Sequence, residues 1–208
     1  MTNESSVEKI TIGLADMQIR MLAPRDKEDS GSRISFWWGI TSAAVVLARH
    51  IESHCEDFYG RRVIELGCGL GLTGIAAGLA GANVLFTDYV SQALEFAERN
   101  ALLNGLEQGA FDTGILDWEN PGPLQEFDVA LGSEIVYDYF FHGSLIRLVR
   151  QILKPHGTIL LADRKRLCVS RFIGRMISAG FNCEETTHKL VLGGFPDQEI
   201  SIFALTMS

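Results

Sequence analysis

Residues Val63 to Gly74 read VIELGCGLGLTG: a branched apolar run, an acid, closely spaced glycines, then the start of an apolar helix. A glycine-rich turn between a strand and a helix usually cradles phosphate, because bare backbone N–H groups and the positive helix end favour an anion. Glu65 stands two residues before Gly67, where it would meet that anion. Two like charges about 4 Å apart repel by roughly 4 kcal/mol at an effective dielectric of 20. The acid therefore points to a ligand that carries positive charge.

Outward from this turn the chain alternates regularly. Strand-type runs RRVIEL, NVLFTD, FDVALG and GTILLAD, with a weaker one at GAFDTGIL, are separated by helical stretches. The helices are expected at Leu70–Ala80, Ser91–Asn104, Phe141–Leu153 and Leu167–Ala179. This alternation predicts βαβ units and an α/β fold, a Rossmann-like doubly wound sheet of about seven strands, mostly parallel. After Gly180, FNCEETTHKLVL and EISIFALTM follow with no helix between them, so the last strand is expected to run antiparallel. Ahead of the core, Val7–Leu22 alternates as a short hairpin, Pro24–Arg33 is a polar loop, and Thr41–Ser53 has the spacing of an amphipathic lead-in helix. One domain over residues 1–208 is expected, with hairpin and loop at 1–35 and the core at 36–208.

A formal charge of −8 and a pI near 5.1 argue against a broad nucleic-acid footprint, which needs clustered Lys and Arg. The basic run Arg164-Lys165-Arg166 reads as a solvated helix start. No segment approaches the ~18 apolar residues of a membrane helix, and MTNESSVEKI lacks the regions of a signal peptide. Cys55, Cys68, Cys168 and Cys183 form no CxxC pair, so neither a metal site nor a disulfide framework is expected. These features describe a soluble protein of a reducing cytoplasm.

Two ligand classes compete for the turn. Gly69 to Gly74 fits the dinucleotide pattern GxGxxG, but that register starts two residues after the strand's own first glycine. Asp88 lies 19 residues from Gly69 and 21 from Gly67, a spacing that suits either register. S-adenosylmethionine (SAM) has no phosphate and carries positive charge at its sulfonium and amino group. Glu65 would attract it, Gly67 and Gly69 would let the backbone come close, and Asp88 would accept from the ribose hydroxyls. A Glu65 that merely caps a turn is the structural alternative.

The stretch ELGCGLGLTGIAAGLAGANVLFTDY resembles the cofactor-binding half of class I, seven-strand SAM-dependent methyltransferases. FWWGITSAAVVLARHIE, ILDW and LGSEIVYD resemble more closely the lysine methyltransferase-like branch, methyltransferase family 16. The resemblance implies that Trp38, or its neighbour Trp37, lines the cofactor pocket together with Glu65, Gly67, Cys68, Gly69, Asp88 and Tyr89. It implies that Asp117 and Trp118 meet the adenine and that Ser133 borders the cofactor. Glu134 and Tyr137 are implied to face the incoming nucleophile. The family pattern there is Asp-x-x-Tyr, and this chain has Glu134-x-x-Tyr137, one methylene longer with the same charge. The expected reaction is methyl transfer from SAM to an amine nitrogen, first of all a protein lysine. A small-molecule amine acceptor and a non-catalytic SAM-binding protein are the alternatives.

Overall fold

The computed structural model describes residues 7–25, 37–190 and 198–207. A hairpin of β1 (Val7–Gly13) and β2 (Gln18–Pro24) precedes the lead-in helix α1 (Ser42–Ser53). Alternation then runs through β3 (Arg62–Leu66), α2 (Leu72–Leu79), β4 (Asn83–Asp88), α3 (Ser91–Leu103), β5 (Phe111–Ile115) and β6 (Phe127–Ser133). It continues with α4 (His142–Ile152), β7 (Leu153–Arg164), α5 (Leu167–Ser178), β8 (Phe181–Leu190) and β9 (Gln198–Met207).

Seven strands form one sheet in the order β5-β4-β3-β6-β7-β9-β8. β9 inserts between β7 and β8 and runs antiparallel to both, as the helix-free tail predicts. Each expected core element is present, with ends moved by a few residues. The largest shift is at β7, which begins at Leu153, because Phe127 already pairs with Leu153 across a bulge.

Neighbouring side chains on a strand point to opposite faces, and here both faces are buried. Val63, Leu160 and Ile202 belong to the core under α1, α2 and α3, whereas Ile64, Leu161 and Phe203 join the core under α4 and α5. The strands therefore read as continuous apolar runs. Thr41 caps α1, its side-chain oxygen accepting from the Ala44 nitrogen at 3.1 Å.

The hairpin is fastened by two asparagines one helical turn apart, one within α3 and one at its C-terminal cap. Asn100, fully buried, accepts from the Leu22 nitrogen at 2.7 Å and donates to the Leu22 carbonyl at 3.1 Å. Asn104 repeats the arrangement on Arg20, at 2.9 and 2.7 Å. Two side-chain amides thus imitate a neighbouring strand along the open edge of β2. Asn100 also donates to the Leu70 carbonyl at 3.0 Å, which ties the hairpin to the glycine turn.

Candidate functional site

The strand order reverses direction between β3 and β6, and in open α/β sheets ligands bind off the carboxyl ends at such a point. A cavity of about 810 Å³ opens there. It is lined by Trp38, Glu65, Gly67, Cys68, Gly69, Asp88, Tyr89, Asp117, Trp118, Ser133, Glu134 and Tyr137. The structure thus brings every residue singled out in the sequence to one place, and Trp37 with them.

Glu65 ends differently from the sequence expectation. Its carboxylate accepts from the Thr73 hydroxyl through Oε1 and from the Gly74 nitrogen, at 2.9 Å, through Oε2. Both oxygens turn into the first turn of α2, and the residue is 2% exposed. The acid is thus the cap of a helix whose N-cap, Gly71, has no side chain to do so. Burial pushes its pKa up to about 7, against the two hydrogen bonds. Near neutrality it is partly protonated, so its pull on a cation is weaker than the sequence argument assumed.

Asp88 closes β4 with one backbone donor on each oxygen, Val90 on Oδ1 and Gly69 on Oδ2, both at 3.0 Å. Burial raises its pKa. A carboxylate oxygen has about two acceptor sites, so each retains one for a ligand hydroxyl. Cys68 is buried, and its thiol is held well above the ordinary range by burial and by Glu65 and Asp88.

Gly67 and Gly69 have φ of +62° and +51°, the left-handed region open to glycine. A Cβ on Gly69 would stand 2.7 Å from the Trp37 carbonyl oxygen. One on Gly67 would meet Ile135 at 3.1 Å and Trp118 at 3.5 Å. The turn is therefore glycine-rich first because protein atoms press on it. Trp37 also packs its ring on Phe96 at 5.7 Å, so both tryptophans line the cavity but Trp37 is anchored into the core as well.

Asp117 also departs from expectation. Its oxygens accept from the Glu119 nitrogen at 2.9 Å and the Asn120 amide at 3.3 Å, the Asx turn that closes β5. These bonds lower its pKa. Trp118 stands edge-on to Phe141 at 5.9 Å.

On the β6 side, Glu134 has φ +53°, a left-handed conformation uncommon for a residue with a side chain. Its nitrogen donates to the Ala162 carbonyl at 2.9 Å, which fixes this bend at the strand end. Its Oε2 is 2.9 Å from Arg164 and 3.8 Å from Arg166. Arg166 also donates to the buried Asp163, whose pKa burial raises to about 6. Tyr137 is 40% exposed at the cavity wall, and burial together with Asp138 and Asp88 raises its pKa, so its hydroxyl stays protonated.

Arg164 and Arg166 are site residues that the sequence reading passed over as a solvated helix start. The available signal was position: Arg164 ends β7 and Arg166 lies just past it, and β7 is the strand paired with β6, where Ser133 lies opposite Ala162. Carboxyl ends of adjacent parallel strands deliver their next residues to the same crevice.

The cavity consequently has two chemical sides. Toward β3, β4 and β5 it presents Asp88 and Asp117, with Glu65 behind the glycine turn, none of them ion-paired to Lys or Arg among the described residues. Toward β6 and β7 it presents Glu134, Tyr137 and two arginines. Carboxylates, apolar walls and no cation on the first side suit a phosphate-free nucleoside bearing positive charge, and they do not suit a diphosphate.

Residues 22–179 match the lysine methyltransferase family. The chain belongs to that family. EEF1A lysine methyltransferase 3 of Mus musculus is 34% identical over 164 residues, covering 76% of this chain and 69% of that protein. Protein N-lysine methyltransferase METTL21A of Danio rerio is 37% identical over 159 residues, covering 74% and 69%. Among solved structures, the T. thermophilus 16S rRNA N2 G1207 methyltransferase superposes with a TM-score of 0.69 at 12% identity, covering 97% of this chain and 51% of that one. The Pyrococcus abyssi tRNA (uracil-54, C5)-methyltransferase gives 0.62 at 18%, covering 96% and 44%. At such identities these two establish the fold alone. Membership of the family makes this lysine methyltransferase relative a SAM-dependent enzyme. Among the described residues no helix is long and apolar enough to cross a membrane.

Proposed function

We propose that this family member methylates the side-chain amine of a lysine in a protein substrate, with the nucleoside side of the cavity holding SAM and the β6–β7 side receiving the acceptor. The observation that carries this is the juxtaposition of Asp88 and the glycine turn with Glu134 and Tyr137 in one cavity at the strand switch. In this reading Asp88 accepts from the ribose hydroxyls, Trp38, Tyr89, Asp117 and Trp118 flank the nucleoside, and Gly67, Cys68 and Gly69 form its floor. Ser133 borders both sides.

When bound, SAM supplies a methyl group on a sulfonium, an electrophile that needs an aligned nucleophile. Alignment of the kind a rigid cavity provides supplies ~7–11 kcal/mol of a barrier. The acceptor amine must arrive neutral, although free lysine has a pKa near 10.4. Glu134 accepts a hydrogen bond from the amine and directs its lone pair. A bare carboxylate would hold the ammonium form; sharing its charge with Arg164 and Arg166 weakens that hold. Tyr137 supplies an aromatic wall and a protonated hydroxyl, and the amine proton leaves to water.

A protein acceptor rather than a nucleic acid agrees with the charge of −8. Mouse and zebrafish relatives named as acting on EEF1A or as protein N-lysine methyltransferases support the same class. A reducing cytoplasm agrees with four free cysteines. Residues 1–208 act as one domain in this reading, since the hairpin is hydrogen-bonded into α3. The test is incubation with tritium-labelled SAM and a cytosolic lysate, followed by hydrolysis and amino-acid analysis. Label in methyl-lysine of a discrete protein is expected; label in small molecules alone would refute the protein acceptor.

A further inference from the structure

We propose that Arg164 is a specificity-determining residue that selects target lysines flanked by an acidic residue in the acceptor protein. The proposal rests on the lysine reading above and deepens it. A guanidinium carries five N–H donors in a planar fork. Among the described residues, the Arg164 side chain spends one of its nitrogens on Glu134, at 2.9 Å, and makes no second hydrogen bond. The side chain lines the cavity and is 44% exposed, so its remaining donors are accessible to a ligand there.

Arg166 adds to the same rim and is itself incompletely matched. It bonds Asp163 and approaches Glu134 at 3.8 Å, yet its Nε is buried without an acceptor. One turn further along α5, Arg171 lies over the Tyr139 ring at 5.3 Å. Tyr137 and Phe141 line the cavity, and between them in sequence Tyr139 and Phe140 are 45% and 63% exposed. A lysine entering this rim alone would bring an ammonium toward guanidiniums. A neighbouring carboxylate on the same chain reverses that cost: it takes the open fork of Arg164 while the lysine reaches Glu134. The lysine's apolar stem and the residues beside it lie along the aromatic wall.

The experiment uses a peptide library with one fixed lysine and randomised flanks, incubated with the enzyme and SAM, with methylated products sequenced by mass spectrometry. A cytosolic lysate treated in parallel supplies folded acceptors. The wild type should enrich Asp or Glu over Asn or Gln at one or two flanking positions by about tenfold, the scale of one charge-assisted hydrogen bond. Arg164→Gln should flatten that preference to about twofold or less, and Arg164→Glu should turn it toward Lys and Arg. Arg164→Lys should restore part of it. Because the side chain is half in solvent, melting temperatures of these variants should stay near wild type, and the preference ratio is independent of how much protein is folded.

Methylated lysines with no flanking preference, or an acidic preference indifferent to Arg164→Gln, would overturn the proposal and leave lysine methylation standing. Loss of SAM affinity in Arg164→Gln with an unchanged preference would also overturn it, assigning the guanidinium to the carboxylate of the cofactor. Absence of any methylated lysine in library and lysate alike would overturn the lysine reading and this proposal together.

Discussion

The Gly74 nitrogen donates to Oε2 of Glu65 across 2.9 Å, joining the end of β3 to the first turn of α2 inside the core. A Cβ placed on Gly74 would lie 2.6 Å from that same oxygen and 2.4 Å from the Phe86 ring. The pair therefore needs an acid at one position and a bare backbone at the other.

Truncating Glu65 should cost stability beyond any effect on the cofactor. Glu65→Ala strands the Gly74 nitrogen and the Thr73 hydroxyl in a buried site, each a loss of about 1–3 kcal/mol. Urea unfolding should show a total loss of roughly 2–6 kcal/mol, and Glu65→Gln, which keeps one acceptor, clearly less. Equal stability of Glu65→Ala and wild type would remove the capping role.

The same burial makes stability depend on pH. Glu65 titrates near 7 in the folded chain against an ordinary 4.5, and Asp163 near 6 against 3.8. At these two acids the folded protein binds more protons than the unfolded chain between about pH 4 and 7, whereas at His50, which burial holds at about 4 against an ordinary 6.5, it binds fewer; two acids against one imidazole leave stability falling as pH rises toward 7 and levelling off above it. The melting temperature of the ligand-free enzyme should drop by roughly 3–6 °C from pH 5 to 7.5. Glu65→Gln should flatten the upper part of the slope and Asp163→Asn the lower. A slope unchanged in both variants would contradict the assignment.

The two turn glycines should differ in their sensitivity. Gly69→Ala places a methyl 2.7 Å from the Trp37 carbonyl oxygen, which has little room to give, whereas Gly67→Ala meets the Ile135 Cγ2 methyl at 3.1 Å, a side-chain contact relieved by a shift of a few tenths of an ångström. Both carry the penalty of about 1 kcal/mol for a side chain at positive φ. Calorimetric titration should find SAM binding lost in Gly69→Ala and weakened by no more than about tenfold in Gly67→Ala.

Asp88→Ala removes both the ribose acceptor and the anchor of the Gly69 and Val90 nitrogens. SAM affinity should fall at least tenfold, on the order of one charge-assisted hydrogen bond. Asp88→Asn, which retains one acceptor oxygen, should recover part of it in the same titration.

Glu134 sits in a backbone conformation that suits glycine better than any other residue. Glu134→Gly should be more stable than Glu134→Ala by about 1 kcal/mol, because alanine keeps the Cβ penalty at positive φ. Turnover should fall about equally, by on the order of a hundredfold, while SAM affinity changes little in either variant. Matching losses of affinity and turnover would show that Glu134 serves the cofactor.

Much of this site was legible in one dimension. Strand-end residues such as Asp88, Ser133 and Glu134 follow apolar runs whose parallel arrangement sends their carboxyl ends to one edge. Arg164 and Arg166 obey the same rule, but a run of three basic residues before a helix looks like any solvated start. Their partner Glu134 lies 30 and 32 positions away, a distance no local pattern spans. The hairpin's attachment through Asn100 and Asn104 was likewise invisible, since an asparagine on a helix shows neither whether it is buried nor what it faces.

Periodicity and glycine placement therefore determined the order of elements, the antiparallel strand of the large sheet and the position of the crevice, because backbone geometry and burial repeat along the chain, while the individual residues lining it came from the resemblance to a family. Which way each carboxylate turns was settled only in three dimensions. Glu65 went to a helix cap, Asp117 to an Asx turn and Glu134 to a pair of arginines, since a buried or half-buried anion takes whichever donors the folded chain brings within reach.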